Sequence, residues 1–414
     1  MSAAVLSIGT ELTRGELLDT NAGWIADRLT LLGFEVRELA TVDDDPERIA
    51  AAVRRLATSH RVVVATGGLG PTTDDCTAAA VAAALGVALK RDEASLDAIR
   101  RRLAALGREM SWTHAKQADL PAGATVLPNP VGTAPGFAVD VGAARAFFLP
   151  GVPFEMRRIF DDHVQPAVAG LAERTMHQIR LRTFGLPEAQ VGERLAGLEA
   201  EEPAIRIGYR ASFPEVEVKV LARAQTQAEA EAIAVRAAAK VRERLGDAVY
   251  GEGDDTFPAF VGRVLRDRGL TLAVAESCTG GMIGEMITRV PGSSDYLLMD
   301  AVTYSNASKH DLLGVDLDLM RACGAVSGEV AIAMAEGAQK RSGADLAVAV
   351  TGIAGPGGGT EAKPVGTVWV ALAQKGRPST CRALKLSGDR ERIRILSSFL
   401  ALRAVADAAL ARDR

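Results

Sequence analysis

Aromatic residues are scarce in this chain, 4% of 414 positions, so its cores are not built on large rings. The apolar fraction of 48% leans on Ala, Val and Leu, which suits many helices packed on sheets. Long hydrophobic runs are lacking too. No segment is apolar enough to span a bilayer, and no early basic-then-apolar stretch resembles a signal peptide, so a cytoplasmic protein without a membrane partner is expected. Cysteine is sparse. Cys76, Cys278, Cys323 and Cys381 form no CxxC pair and no metal spacing, which fits a reducing compartment. Positive charge is not in excess: 48 Lys and Arg face 52 Asp and Glu, a net charge of −4. That balance argues against bulk binding to a nucleic-acid backbone, so nucleic acid is not an expected partner.

What is present is an alternation of strand and helix signals. The length suggests roughly three domains. Ala4 to Ile8, Phe34 to Val42 and Val62 to Val64 read as strands. Between them lie a helix ending near Gly33 and another starting at Pro46, with Ile49, Val53 and Leu56 on its apolar face. This βαβ series predicts a parallel-rich sheet with helices on both faces, closing near residue 170. Residues 171–250 read as a small α+β module. Glu215-Val216-Glu217-Val218-Lys219-Val220 alternates charge and valine, predicting a sheet with one wet face. Gly251-Glu252-Gly253-Asp254-Asp255 reads as a linker, after which residues 251–414 resume the α/β alternation. Arg390, Arg392 and Arg394, at the start of a closing helix behind Gly388-Asp389, read as a solvated face.

The first chemical signal is Gly67-Gly68-Leu69-Gly70-Pro71-Thr72-Thr73-Asp74-Asp75, directly after a strand. The glycines let a phosphate approach the backbone, and a helix predicted near Thr73 offers its N-terminus to an anion. Asp74 and Asp75 would repel that phosphate unless a divalent cation such as Mg²⁺ bridges them. The plainer alternative is that both aspartates complement the helix dipole. Glu11, Asn21, Asn129 with Gly132, and Glu155 follow other predicted strands, where parallel sheets bind ligands. Asp19 or Thr20 can be a helix cap and Glu155 a first-turn acid.

The second signal is Ala275-Glu276-Ser277-Cys278-Thr279-Gly280-Gly281. It puts a hydroxyl and a thiol in a strand-to-helix turn, where unpaired amides can serve as oxyanion donors for acyl transfer. Ser277 as a simple helix cap is the alternative, and Cys278 is a rival nucleophile. Thr303-Tyr304-Ser305-Asn306-Ala307-Ser308-Lys309 offers Tyr304 and Lys309 as proton-handling partners, provided that burial lowers the lysine's pKa. A surface lysine is the other reading. The loop Thr351-Gly352-Ile353-Ala354-Gly355-Pro356 has glycines that bring amides to a substrate phosphate or carboxylate, or simply make a flexible turn.

Together these segments resemble the CinA family, the competence/damage-inducible protein A group. The stretches that carry the likeness are IGTELTRGELLDTN, ATGGLGPTTDD, LPNPVGTAPGF, LPGVPFEM, AESCTGG, TYSNASK, GAVS and TGIAGPGGG with KPVGTVW, spread over nearly the whole chain. The resemblance implies a molybdopterin-binding-like domain over 1–170, a KH-like domain over 171–250 and a CinA C-terminal domain over 251–414. It also implies two hydrolytic activities. One is metal-dependent cleavage of ADP-ribose to AMP and ribose 5-phosphate by the first domain. There Asp74, Asp75, Glu155 and Glu11 match acidic positions toward a divalent metal, and Gly67, Gly68, Gly70, Asn21, Asn129 and Gly132 contact substrate.

The other implied activity is hydrolysis of nicotinamide mononucleotide (NMN) to nicotinate mononucleotide and ammonia by the last domain, without a cofactor. Ser277 matches the nucleophile, Tyr304 and Lys309 its partners, and Thr351, Gly352 and Gly355 the substrate loop. A homodimer is expected. The middle module has no convincing GxxG loop, so RNA binding is not carried over. The chain has Thr113-His114-Ala115 where the family often has an asparagine before Lys116-Gln117. Two other functions compete: nucleotidyl transfer to a pterin by the first domain, and a non-enzymatic role in competence or recombination.

Overall fold

The computed structural model describes residues 1–172 and 174–411. The first eight strands are β1 (Ser2–Ile8), β2 (Glu35–Val42), β3 (Val62–Thr66), β4 (Leu89–Arg91), β5 (Asp119–Pro121), β6 (Thr125–Leu127), β7 (Gly136–Val141) and β8 (Ala144–Leu149). Six of them form one sheet in the order β2-β1-β3-β8-β7-β6, while β4 and β5 pair separately. β1, β2, β3 and β8 run parallel, and β7 and β6 add an antiparallel edge. The two-residue period of β1 sorts its side chains. Ala4, Leu6 and Ile8 join Ile49, Val53 and Leu56 of helix Pro46–Ser59. Ala3 and Val5 join Ile25 and Leu29 of helix Thr20–Leu31. Both faces are therefore covered, as the sequence pattern predicts.

The middle strands are β9 (Thr175–Phe184), β10 (Ile205–Ser212), β11 (Glu215–Ala224) and β12 (Val249–Glu252), ordered β10-β11-β9-β12. Two sequence expectations change here. The first half of the expected linker is strand: Gly251 pairs with Arg182 and Glu252 with Leu181 of β9. The expected wet face of β11 holds Glu217, 2% exposed and paired with Arg182 at 3.1 Å. An arginine on the neighbouring strand lets a glutamate occupy a buried position, which alternation alone does not reveal.

The last strands are β13 (Leu272–Glu276), β14 (Leu297–Val302), β15 (Leu346–Gly352), β16 (Thr367–Gln374) and β17 (Arg377–Lys385), ordered β14-β13-β15-β16-β17. One face, with Leu272, Val274, Val348 and Val350, packs against helices Phe257–Asp267 and Arg390–Leu410. The other face is almost all alanine: Ala273, Ala275, Ala347, Ala349, Ala371 and Ala373. Small side chains let helix Gly328–Ser342 lie close, with Ala331, Ala335 and Ala338 against the sheet. Compact units comprise Met1–Gln178 with Glu202–Arg206 and Leu221–Arg236, and Ile179–Glu201 with Ile207–Val220 and Ala237–Arg414.

Gly337 in helix Gly328–Ser342 faces the backbone of helix Asn306–Leu313 so closely that a Cβ would lie 2.0 Å from the Leu313 carbonyl oxygen. Alanine is favoured over glycine in a helix by about 1 kcal/mol, but overpacking against a backbone atom costs roughly 1–3 kcal/mol. Gly337→Ala should therefore lower the melting temperature by several degrees. A thermal scan in which the variant melts at or above wild type would refute the close approach.

Candidate active sites

In both α/β sheets the first strand is central, the second lies on one side and the third on the other. The crevice between first and third strands is the switch point where such sheets bind ligands. In the C-terminal unit this crevice lies between β13 and β15. Ser277 follows β13 directly, and its amide continues the ladder to Val350 O at 3.0 Å. Helix Met282–Thr288 begins only after Gly281, its N-cap, so Ser277 is not the cap. Lys309 lies in the first turn of helix Asn306–Leu313, capped by Ser305. It is 1% exposed, which excludes the surface-lysine reading. Its Nζ donates to Thr303 O at 2.8 Å and stands 3.1 Å from Ser277 Oγ. Burial lowers the Lys309 pKa. Burial pushes the Cys278 thiol up to about 12, so the rival nucleophile is held as a thiol at neutral pH.

The expected helix-terminal oxyanion donors are partly occupied. Glu276, 0% exposed, accepts from Gly281 N and Gly284 N, each at 2.9 Å. Gly280 N bonds to Ser277 O at 3.1 Å. Among the described residues, the amides of Cys278 and Thr279 have no hydrogen-bond acceptor in another residue, and these two remain beside Ser277. Tyr304 does not reach Ser277. It is 61% exposed, and its hydroxyl accepts from Arg390 Nη2 at 2.9 Å. The substrate-loop residues are held internally. Thr351 Oγ1 donates to Ala325 O at 2.8 Å, Gly352 packs on Val368, and Gly355 packs on Val365.

Sequence reading missed three contributors here. Arg390 also donates to Gly355 O at 2.8 Å. Arg394 donates to Thr279 O through Nε at 3.2 Å and Nη2 at 2.7 Å. The solvated face expected of these arginines is thus corrected for Arg394, which is half-buried, while Arg390 remains exposed. Arg392 instead lies over the Phe213 ring at 4.4 Å. The third is Glu276, whose signal was a lone carboxylate ending an apolar strand.

In the N-terminal unit the corresponding crevice, between β1 and β3, opens into a cavity of about 770 Å³ lined by Glu11, Asn21, Gly67, Gly68, Gly70, Asp74, Asp75, Gln117 and Glu155, among others. The helix expected near Thr73 begins at Thr77, so Asp74 and Asp75 stand in the loop before it rather than in its first turn. The loop is tied by Thr72. Its hydroxyl bonds to Asp74 and, at 2.6 Å, to Asp75 Oδ2, which also accepts Thr72 N at 2.8 Å. The Thr72 hydrogen bond holds Asp74 below the usual carboxylate range. Lys116 Nζ closes the loop on Thr72 O at 2.9 Å. The glycines serve close packing: a Cβ would meet Ile8 O at Gly67, Thr77 Oγ1 at Gly68 and the Asp75 carboxylate at Gly70.

The expected four-carboxylate metal set is not assembled. Among the described residues no three His, Cys, Asp or Glu side chains form a metal-holding group. Glu155 accepts from Asn129 Nδ2 at 2.7 Å and lies on Gly132, while Glu11 lies on Gly9. Asn129 Oδ1 in turn accepts from Gly132 N at 2.8 Å, so this pair braces its own loop. The Asp74/Asp75 pair on one hydroxyl still fits Mg²⁺, which is commonly held by one or two carboxylates plus substrate phosphate oxygens. Asn21 donates to Gly151 O at 2.7 Å, but its buried Oδ1 and that of Gln117 Oε1 have no partner among the described residues.

Two doubly wound α/β/α units with a switch-point site each, joined by a small α+β module, define the class. The chain matches a probable molybdopterin binding domain over residues 4–170, the damage-inducible protein CinA KH domain over 178–251 and the CinA C-terminal domain over 254–409. It is 48% identical to a CinA-like protein of Geobacter sulfurreducens over 406 residues, covering 97% of this chain and 98% of that one. A CinA-like protein of Anaeromyxobacter sp. is 44% identical over 401 residues, 96% and 97% of the two chains. A crystal structure of the protein CinA with unknown function from Thermoplasma acidophilum is 36% identical over 40% of this chain and 96% of its own, with a TM-score of 0.38. The chain belongs to the CinA family. No helix of the described residues is long and apolar enough to cross a membrane.

Asp300 on edge strand β14 adds a pH-dependent term. The residue as a whole is exposed, but its carboxyl lies against Gly284, where a Cβ would be 1.9 Å from Oδ2. Burial of that carboxyl and then the Glu276 carboxylate raise Asp300 to about 7. An unfolded aspartate loses its proton near ~4. Between these values the folded state binds more protons, so this group's contribution to stability falls as pH rises. Asp300→Asn should gain in melting temperature over wild type as pH moves from about 5 to about 8. An offset that stays constant across that range would show that Asp300 does not titrate there.

Proposed function

We propose that the C-terminal unit hydrolyses the carboxamide of NMN to nicotinate mononucleotide and ammonia. The observation that carries this reading is the buried Lys309 amine 3.1 Å from Ser277 Oγ. A neutral amine takes the Ser277 proton as Oγ attacks the carboxamide carbon, and the oxyanion meets the Cys278 and Thr279 amides. Lys309 then gives the proton to the departing ammonia. Water, deprotonated by the same amine, cleaves the ester and frees the acid. Thr303 O holds one Nζ hydrogen, which leaves the lone pair for this traffic. Arg390 and the exposed Tyr304 bond to each other rather than to Ser277 or Lys309, and would suit the nucleotide phosphate rather than the proton transfer.

For the N-terminal unit we propose hydrolysis of ADP-ribose to AMP and ribose 5-phosphate. Asp74 and Asp75 would hold a divalent cation, which when bound neutralises phosphoanhydride charge. Asn21 and Gln117 line the same cavity, where their side chains would stand beside the substrate. The match to a probable molybdopterin binding domain favours a second reading, nucleotidyl transfer to a pterin. Separate assays with ADP-ribose and with a nucleoside triphosphate plus a pterin distinguish the two.

Ammonia release from NMN should be abolished in Ser277→Ala. Cys278→Ala, which removes the thiol and keeps the amide, should retain most of it. Lys309→Arg keeps charge but supplies no free amine, so it should be as inactive as Lys309→Ala. In wild type, kcat should rise with pH until Lys309 is neutral, a limb set below the usual lysine range. An active arginine variant would overturn the base assignment.

The two units should also differ toward chelation. EDTA should stop ADP-ribose cleavage and spare NMN deamidation, and the double variant Asp74→Asn with Asp75→Asn should do the same. Loss of both activities, or of neither, would contradict this division.

A further inference from the structure

The turn Ser277–Gly281 is short, rich in glycine and poorly determined by its own sequence. Gly280 and Gly281 both have positive φ, 62° and 89°. Glycines in that region interconvert easily between backbone states, so the turn needs external anchors to keep one shape. Two exist. From below, the fully buried Glu276 carboxylate takes the amides of Gly281 and Gly284. From the side, Arg394 of helix Arg390–Leu410 places two N–H groups on the single carbonyl of Thr279. Its guanidinium also lies along the turn, since a Cβ at Gly280 would be 3.6 Å from Arg394 Nη2.

The consequence is a selection among amides. Ser277 N is bound to Val350 O, Gly280 N to Ser277 O, and Gly281 N to Glu276. Cys278 and Thr279 are left, adjacent in sequence and next to the nucleophile. We infer that Arg394 and Glu276 are positioning residues that clamp this turn and so preset the Cys278 and Thr279 amides as the oxyanion site of Ser277. Arg394 acts through the Thr279 carbonyl and touches no substrate. It is half-buried with its donors committed to that carbonyl, whereas Arg390, four residues earlier, reaches the exposed Tyr304 hydroxyl. The inference rests on the serine-amidase reading of the same site but not on NMN as its substrate.

The test separates these two dependencies. The full-length protein is assayed for NMN deamidation, and the rate of covalent labelling of Ser277 by a fluorophosphonate is measured in parallel. In that labelling the serine oxygen bonds to phosphorus, fluoride departs, the proton passes to Lys309, and the phosphoryl oxygen occupies the oxyanion site. Arg394→Ala should lower kcat by roughly 100-fold, toward the lower end of the range of about 100–1000-fold seen for losing an oxyanion donor, with KM within about twofold. Labelling should slow by a similar factor, and millimolar guanidinium should restore part of both in this variant alone. Arg394→Lys, with one point charge in place of a two-pronged donor, should fall between. Glu276→Gln should show the same kcat-only pattern.

A KM increase with kcat held would make Arg394 a substrate contact and overturn the inference. Unchanged kcat and labelling would show that the turn holds its shape unaided, and would overturn it equally. If Arg394→Ala fails to fold by circular dichroism, Arg394→Lys alone decides by the same kcat and labelling criteria. A wild type that labels at Ser277 yet spares NMN refutes the substrate assignment, and the labelling rates then decide the clamp. A wild type that does neither overturns both.

Discussion

The burial of one amine organises the C-terminal unit. Lys309 is charged in water, and moving an ammonium into a dry interior costs several kcal/mol unless it is paired or loses its proton. Among the described residues, no carboxylate faces it at bonding distance. Its contacts are a backbone carbonyl and the Ser277 hydroxyl, both neutral. Burial therefore lowers the Lys309 pKa and moves the group toward the neutral amine, the form that can take a proton. Holding it there demands that helix Asn306–Leu313 be driven down onto the end of β13. The demand is met by packing: Gly337 admits the Leu313 backbone, and the alanine face of the sheet draws helix Gly328–Ser342 close enough to support it.

The parts of the architecture that follow from side-chain period are legible in the sequence. Both apolar faces of β1, the capped helix at Pro46 and the strand ending at Ser277 follow from alternation, helix caps and turn residues. Ser277 and Lys309 are legible because a hydroxyl and an amine each stand at the junction of a strand and a helix. What escapes depends on partners distant in sequence. Arg394 becomes meaningful only when its helix lies beside the Thr279 carbonyl, 115 residues earlier. Glu217 looks solvated until Arg182 is found across the sheet. Nearness to Lys309 in sequence suggests pairing Tyr304 with Ser277, but the turn before the helix cap sends its hydroxyl to Arg390. The glycines before Asp74 and Asp75 suggest a helix there. The Thr72 hydroxyl instead gathers both carboxylates and delays the helix to Thr77.

The two sites share a topology and differ in how finished they are. Each sits where the first and third strands of a doubly wound sheet part. At Ser277 the hydroxyl and the Lys309 amine already touch, and among the amides of the turn those of Cys278 and Thr279 are left without an acceptor in another residue. At Asp74 and Asp75 the groups line an open cavity, with carboxylates braced by their own loops and two amide oxygens unsatisfied. On the proposed reading, the first would hold its nucleophile ready before substrate arrives, and the second would be completed by what enters it.

Cys278 gives the proposed nucleophile an unusual neighbour. A thiol beside a serine nucleophile in a strand-to-helix turn would ordinarily be the more oxidisable of the two, and its loss to sulfenic acid would add a polar oxygen to the tightest part of the site. Here the residue is 6% exposed and burial holds its thiol protonated at neutral pH. Peroxide reacts with thiolate and needs access, and this cysteine offers neither. On the proposed reading, the site would thus keep the chemistry of an alcohol under oxidising conditions that would silence a thiol hydrolase built on the same turn.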